Sequence, residues 1–108
     1  MALSVPAFYV LVALAHGERH GYAIIKEIEE LTDGEVVLLP GTLYRLIKQL
    51  CADEWIVEVS AAAPDDDPRR RYYRLSARGR KAVAAEAKRL ESMVHLARTR
   101  RLLGGGAQ

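Results

Sequence analysis

The chain has 108 residues, 50% of them hydrophobic, and its 16 Lys and Arg outweigh its 14 Asp and Glu for a formal charge of +2. One domain is the default at this length, with a core thin enough for self-association to help. The single cysteine, Cys51, excludes an internal disulfide and supplies no metal set; beside Leu50 it reads as a small core residue in a reducing compartment.

The longest apolar run, "FYVLVALA" from Phe8 to Ala15, is too short to span a bilayer. "ALA" at 13–15 imitates a signal-peptidase site, but residues 1–7 hold no Lys or Arg. The run therefore reads as a buried first helix, Pro6 to Ala15, of a cytoplasmic protein with no membrane partner; proline suits a first helical turn. "HGERHG" is a loop. The second helix follows in "YAIIKEIEELT", with Tyr22, Ile25, Ile28 and Leu31 on its apolar face and Lys26, Glu27, Glu29 and Glu30 outside. His20 is placed to cap it, and Tyr22 to pack it on the next helix. Thr32, Asp33 and Gly34 stop it.

"EVVLLPG" is a short extended or turning segment, because Pro40 restricts the residue before it. From Thr42 to about Asp53 the comb Leu43, Leu46, Ile47, Leu50 marks a third helix. Thr42 can cap it or meet a phosphate, and the two roles are compatible. Its other face carries Tyr44, Arg45, Lys48 and Gln49, with no acid among them. A solvated face more often mixes Glu with Lys, whereas hydroxyl, cation and amide together suit phosphates and base edges.

The period then changes. "WIVEVSA" alternates and is rich in β-branched residues, so it reads as a strand, with Ile56 and Glu58 on one side and Val57 and Val59 on the other. Trp55 before it reads as core. "AAPDDDPRR" is a turn-rich loop and "RYYRLSA" a second strand, on which one of Tyr72 and Tyr73 packs and the other faces out. Arg69, Arg70, Arg71, Arg74, Arg78, Arg80 and Lys81 follow with no acid between them, a cluster suited to a polyanion. Arg70 and Arg71 can clamp a DNA backbone or pair across the strands with Glu58. From Ala77 to Leu103 the composition predicts one long helix. Its seam of Val83, Ala87, Leu90, Val94 and Ala97 recurs at seven-residue spacing and permits close helix approach. That length exceeds what a thin core covers, so a second subunit is the better partner than the first helix alone.

Three helices, a hairpin and a long helix are the order of a winged helix-turn-helix: mainly α with a small β-hairpin, plus a C-terminal dimerisation helix. Residues 1–76 form the DNA-binding domain, 77–103 the dimerisation helix and 104–108 a disordered tail. The third helix enters the major groove and the hairpin loop reaches the backbone or the minor groove. The DNA-binding residues are Thr42, Tyr44, Arg45, Lys48, Gln49, Arg69, Arg70 and Arg71.

"HGYAIIKEIEE" (20–30), "PGTLYRLIKQL" (40–50) and "RRYYRLSARG" (70–79) resemble the PadR family of bacterial transcriptional regulators, in a pattern running from about residue 5 to residue 100. The resemblance implies a homodimer built through the last helix, and repression of nearby genes from a pseudo-palindromic operator in double-stranded DNA. It also implies release by a small aromatic or drug-like effector. Relatives that trap flat drugs use a tryptophan in the last helix, which this helix lacks; the apolar faces instead suggest a pocket of Phe8, Val12, Met93, Val94 and Leu96. Two departures stand out. The family often has glycine where "ADEWI" has Trp55, and Asp65–Asp67 place acids just before the wing arginines. A second function class, a winged-helix protein–protein module, would lack salt-dependent affinity for duplex DNA. No nucleophile–base pair, phosphate loop or metal set points to an enzyme or a cofactor; His16, His20 and His95 have no companion ligands at metal spacing.

Overall fold

The computed structural model describes residues 3–59 and 70–104. The elements are α1 (Val5–Ala13), β1 (Arg19–His20), α2 (Gly21–Leu31), α3 (Pro40–Ala52), β2 (Ile56–Val59), β3 (Tyr72–Leu75) and α4 (Ala77–Thr99). The acidic triplet Asp65–Asp67 and Arg69 lie outside the described residues.

Three of the four helices, α1, α2 and α4, begin on a side-chain cap. The Ser4 hydroxyl accepts from the Ala7 amide at 3.2 Å, and Pro6 occupies the first turn of α1. His20 caps α2 as expected, its Nδ1 accepting from the Ala23 amide at 3.2 Å. The Ser76 hydroxyl accepts from the Gly79 amide at 2.9 Å to start α4. α2, α3 and α4 all end the same way, on a residue in the left-handed region: Asp33 (φ 51), Glu54 (φ 61) and Arg101 (φ 60). The amide one residue further on donates back to the helix in each case: Gly34 to Glu29, Trp55 to Leu50, Leu102 to Ala97. α4 therefore closes at Thr99, short of the expected Leu103. The glycine-favouring position in "ADEWI" is Glu54; Trp55 follows it and packs partly buried against the core.

The core lies where α1, α2 and α3 meet the sheet, with Val10, Leu11, Leu14, Ile24, Ile28, Leu43 and Ile56 fully enclosed. Three expectations need correction here. The buried stripe of α2 is Gly21, Ile24 and Ile28, whereas Tyr22 is 63% and Leu31 56% exposed. Tyr22 therefore does not pack α2 on α3; its ring faces outward, with the Lys26 ammonium 5.8 Å from its centroid. The stripe is set by Gly21, which lets α3 approach the start of α2, and that rotates Tyr22 away. Second, "HGERHG" is not all loop. Arg19 and His20 form β1, which pairs with Tyr73 and Tyr72. The sheet is three-stranded and antiparallel in the order β1-β3-β2, with β3 in the middle. Third, neither tyrosine of β3 faces out: flanked on both sides, the strand buries both, Tyr72 at 9% and Tyr73 at 4% exposure. Tyr73 enters the core, while Tyr72 meets the His20 ring edge-to-face at 5.4 Å.

α4 joins this body through a close contact. A Cβ on Gly79 would lie 1.9 Å from the Trp55 carbonyl oxygen. That same oxygen accepts from the Ser76 amide at 3.1 Å, and the Ser76 hydroxyl donates to the Glu54 carbonyl at 2.7 Å. Arg80 reaches back to the Ala15 carbonyl at 3.1 Å and Arg19 to the Ala13 carbonyl at 2.9 Å, so cations cover the C-terminal end of α1. After Val83, which packs partly on the core, Glu86 is the one charged side chain buried among the described residues. Arg89 grips it with two nitrogens, Nε to Oε1 at 3.0 Å, and this hydrogen bonding holds the Glu86 carboxyl below its usual range.

These contacts generate two opposite outcomes. Gly79→Ala should destabilise the fold by about 3 kcal/mol or more, because backbone rather than a flexible side chain blocks the new methyl. Glu54→Gly should stabilise it by about 0.5–1 kcal/mol by relieving the left-handed residue. Thermal melts of both variants against the parent measure the two signs.

Candidate nucleic-acid interface

The comb of α3 is buried at Leu43, Leu46, Ile47 and Leu50. That packing turns Arg45, Lys48 and Gln49 to solvent and leaves Tyr44 52% exposed. Thr42 is half-buried inside the first turn and does not cap the helix. The cap position belongs to Leu39, which offers no side-chain bond. Pro40 explains the difference: its fixed φ suits the first helical position, so the helix starts before the threonine.

Beside Tyr44 a cleft of about 430 Å³ opens, lined by His20, Gly21, Tyr22, Tyr44, Arg70 and Arg71. Three elements build it. α2 begins on the glycine that Tyr44 needs: a Cβ on Gly21 would lie 2.7 Å from the Tyr44 hydroxyl oxygen. Arg70 and Arg71 arrive on the approach to β3. Arg70 Nη1 stands 3.3 Å from His20 Nε2. His20 Nδ1 is taken by the Ala23 amide, so Nε2 is the ring atom that meets the Arg70 guanidinium at the cleft wall. Arg71 Nη1 is 3.4 Å from Glu58 Oε1, an exposed pair of the kind that contributes little and exchanges readily.

A second cleft of about 390 Å³ lies between α3 and the sheet, lined by Tyr44, Ile47, Lys48, Cys51, Glu58, Arg71 and Tyr73. Tyr44 and Arg71 thus border both clefts. Burial, with the Glu58 carboxylate second, pushes the Cys51 thiol up; the same two causes in that order raise the Tyr73 phenol. On the opposite flank of α3, Gln49 lines a smaller cavity of about 190 Å³ with Leu3, Ser4, Ala7 and Trp55.

The expected site residues therefore separate. Tyr44, Arg45 and Lys48 share the outer face of α3, and Tyr44 meets Arg70 and Arg71 at the cleft. Gln49 borders the flank facing α1, Thr42 is partly covered, and Arg69 is outside the described residues. Of the basic cluster, Arg80 is engaged with the end of α1. His20, Gly21 and Tyr22 at the cleft were not foreseen as site residues. Their signal was an exposed tyrosine directly after a histidine cap and a glycine.

On α4 the seam residues Val83, Leu90 and Ala97 are half-buried, Ala87 is exposed and Val94 is 42% exposed. Phe8 and Val12 are half-buried on α1, and Met93 and Leu96 are exposed on the distal part of α4. None of the three cavities above is lined by these four residues. Among the described residues no helix is long and apolar enough to cross a membrane.

Three helices, an exposed polar and cationic face on the third, and an antiparallel wing define a winged helix-turn-helix protein. Residues 10–85 match the family described as the transcriptional regulator PadR-like family, and the chain belongs to that family of regulators. Among solved structures it is similar to a PadR family transcription regulator from Clostridium difficile, with TM-score 0.78 and 20% identity over 89% of this chain and 97% of that one. A transcriptional regulator from Clostridium thermocellum gives TM-score 0.74 and 26% identity over 86% and 89%. Bacillus subtilis PadR in complex with operator DNA gives 0.65 and 20% over 76% and 46%. A comparison with curated protein sequences finds no match.

The cleft chemistry makes one prediction about the thiol. Cys51 should react with iodoacetamide at about pH 7.5 more slowly than free cysteine, because burial first and the Glu58 carboxylate second disfavour its thiolate. Urea-unfolded protein should recover the ordinary rate, and mass spectrometry over time measures both.

Proposed function

We propose that the chain is a DNA-binding transcriptional repressor that acts as a homodimer on a pseudo-palindromic operator. One observation carries the reading. The outer face of α3 and the cleft of Arg70, Arg71 and His20 meet at Tyr44, so a surface suited to base edges adjoins one suited to phosphates. Arg45 and Lys48 would face base edges or phosphates in the major groove, and Arg70 and Arg71 would clamp the backbone beside it. Thr42 and Gln49 would act at the margins of the helix. Arg69 would extend the clamp along the wing. Family membership supports the regulatory role, and the Bacillus subtilis relative bound to operator DNA supports the partner.

The dimer would form through α4. A helix of 23 residues is about 35 Å long, yet beyond Glu86 none of its residues is buried in the monomer. Val83, Ala87, Leu90, Val94 and Ala97 would form the seam, placing two α3 helices against half-sites about 34 Å apart. A small aromatic effector, the class its family resemblance implies, would bind where α1 and the distal part of α4 present Phe8, Val12, Met93 and Leu96. Binding there would change the spacing of the two α3 helices and so their affinity for the operator.

Fluorescence anisotropy with the protein's own promoter region and a random duplex tests this reading. Affinity for the promoter duplex should exceed that for the random one and fall steeply with salt. Arg45→Ala should cost about 1–3 kcal/mol on the promoter duplex. Val94→Glu should convert a species of twice the chain mass to one of the chain mass in sedimentation, with loss of specific binding. Weak binding to both duplexes at low salt would reject a DNA role and favour a protein partner for the winged helix.

A further inference from the structure

The described glycines each answer to something inside the protein, with one exception within an element. Gly17 (φ 152) and Gly34 (φ 81) hold backbone conformations that side chains resist. Gly21 and Gly79 make room for Tyr44 and the Trp55 carbonyl. Gly104 lies past the end of α4. Gly41 has neither excuse: its backbone is helical, and a Cβ built on it would meet no atom within 4 Å. It sits directly after Pro40 in the first turn of α3, where alanine would favour the helix. Its position also matters. Gly41, Arg45 and Lys48 follow at i, i+4, i+7, the outward stripe opposite Leu43, Leu46, Ile47 and Leu50. A glycine that the fold does not need, at the head of an exposed cationic stripe, is explained by close approach of an external surface to the helix backbone.

We infer that Gly41 is the point where the backbone of α3 lies against base edges of the bound duplex, its missing side chain being a requirement of the DNA and not of the fold. This rests on the DNA-binding reading above and adds the depth and orientation of α3 in the groove. The first turn of a recognition helix is the part that reaches base edges in helix-turn-helix proteins. At contact distance a methyl group on Gly41 would hold the helix off and lengthen the reach of Arg45 and Lys48. It would weaken recognition of the right sequence more than general attraction to phosphates.

The test is Gly41→Ala, read by two measurements whose signs should oppose. Duplexes are first enriched from a random-sequence pool on the parent protein, and affinity is then compared on an enriched and a random duplex. The thermal midpoint should rise by about 2–5 °C. Affinity for the enriched duplex should fall about tenfold or more, and that for the random duplex by less than about threefold. A stabilised variant that keeps full affinity for the enriched duplex would overturn the inference while leaving the DNA-binding function intact. A lowered midpoint would also overturn it, by revealing an internal need for the glycine. Equal losses on both duplexes would move the contact to the sugar–phosphate backbone and overturn the base-edge assignment. Failure of the parent protein to enrich any duplex would reject the function and the inference together.

Discussion

The rest of the structure depends on the Trp55 carbonyl. It accepts the Ser76 amide and leaves no room for any side chain at Gly79, while the amide of the same residue closes the turn after α3 on the Leu50 carbonyl. Ser76 adds its hydroxyl to the Glu54 carbonyl and then caps α4. The end of α3, the close of the sheet and the start of α4 are thereby fixed within a few residues of one another. Backbone atoms make this joint, so its geometry does not follow side-chain rotamers. The direction of α4 relative to α3 is set here, and that direction would determine how two recognition helices stand to each other in a dimer.

The long helix shows what the joint must resist. Its first part is held by Gly79, Val83 and the reach of Arg80 to α1, and its distal part projects with Met93, Val94 and Leu96 uncovered. The 52 Å long axis of the protein against 27 and 23 Å for the others reflects that projection. Any partner acting on the distal part exerts leverage at the Trp55–Gly79 contact. A soft joint would dissipate that leverage in bending, whereas a backbone-to-backbone contact transmits it to α3.

The sequence made α3 legible because one strong period ran through it without competition: four leucine and isoleucine positions faced inward and all were buried. The first helix was readable from its unbroken apolar run, the first wing strand from its alternation and the long helix from its composition. α2 was misread because its stripe starts on a glycine. Gly21 has no hydropathy to register, so Tyr22 seemed the natural start, and the face turned by one residue. β1 was missed because two polar residues, Arg19 and His20, carry no alternation; only pairing with β3 makes them a strand. That same pairing buried Tyr72, since the number of neighbours a strand has is a property of the sheet. At the site, Tyr44, Arg45 and Lys48 were visible as an unusual face. The cleft was not, because it joins His20 to Arg70 across a long stretch of chain.

Charge clustering needs the same division. The basic run from Arg70 onward looked like one surface, yet its members have different employers. Arg80 serves the carbonyl end of α1, Arg71 stands near Glu58, and Arg70 meets His20 Nε2 at the cleft. Position thus separates cations that counting could not, and Gly21 shows why the cleft is open. Without its missing side chain Tyr44 could not lean over the start of α2, and the cleft and the outer face of α3 would no longer share a residue. In the proposed DNA complex, phosphate contact and base contact would be coupled through that tyrosine, so backbone grip at the cleft would set the register in which Arg45 and Lys48 meet the bases.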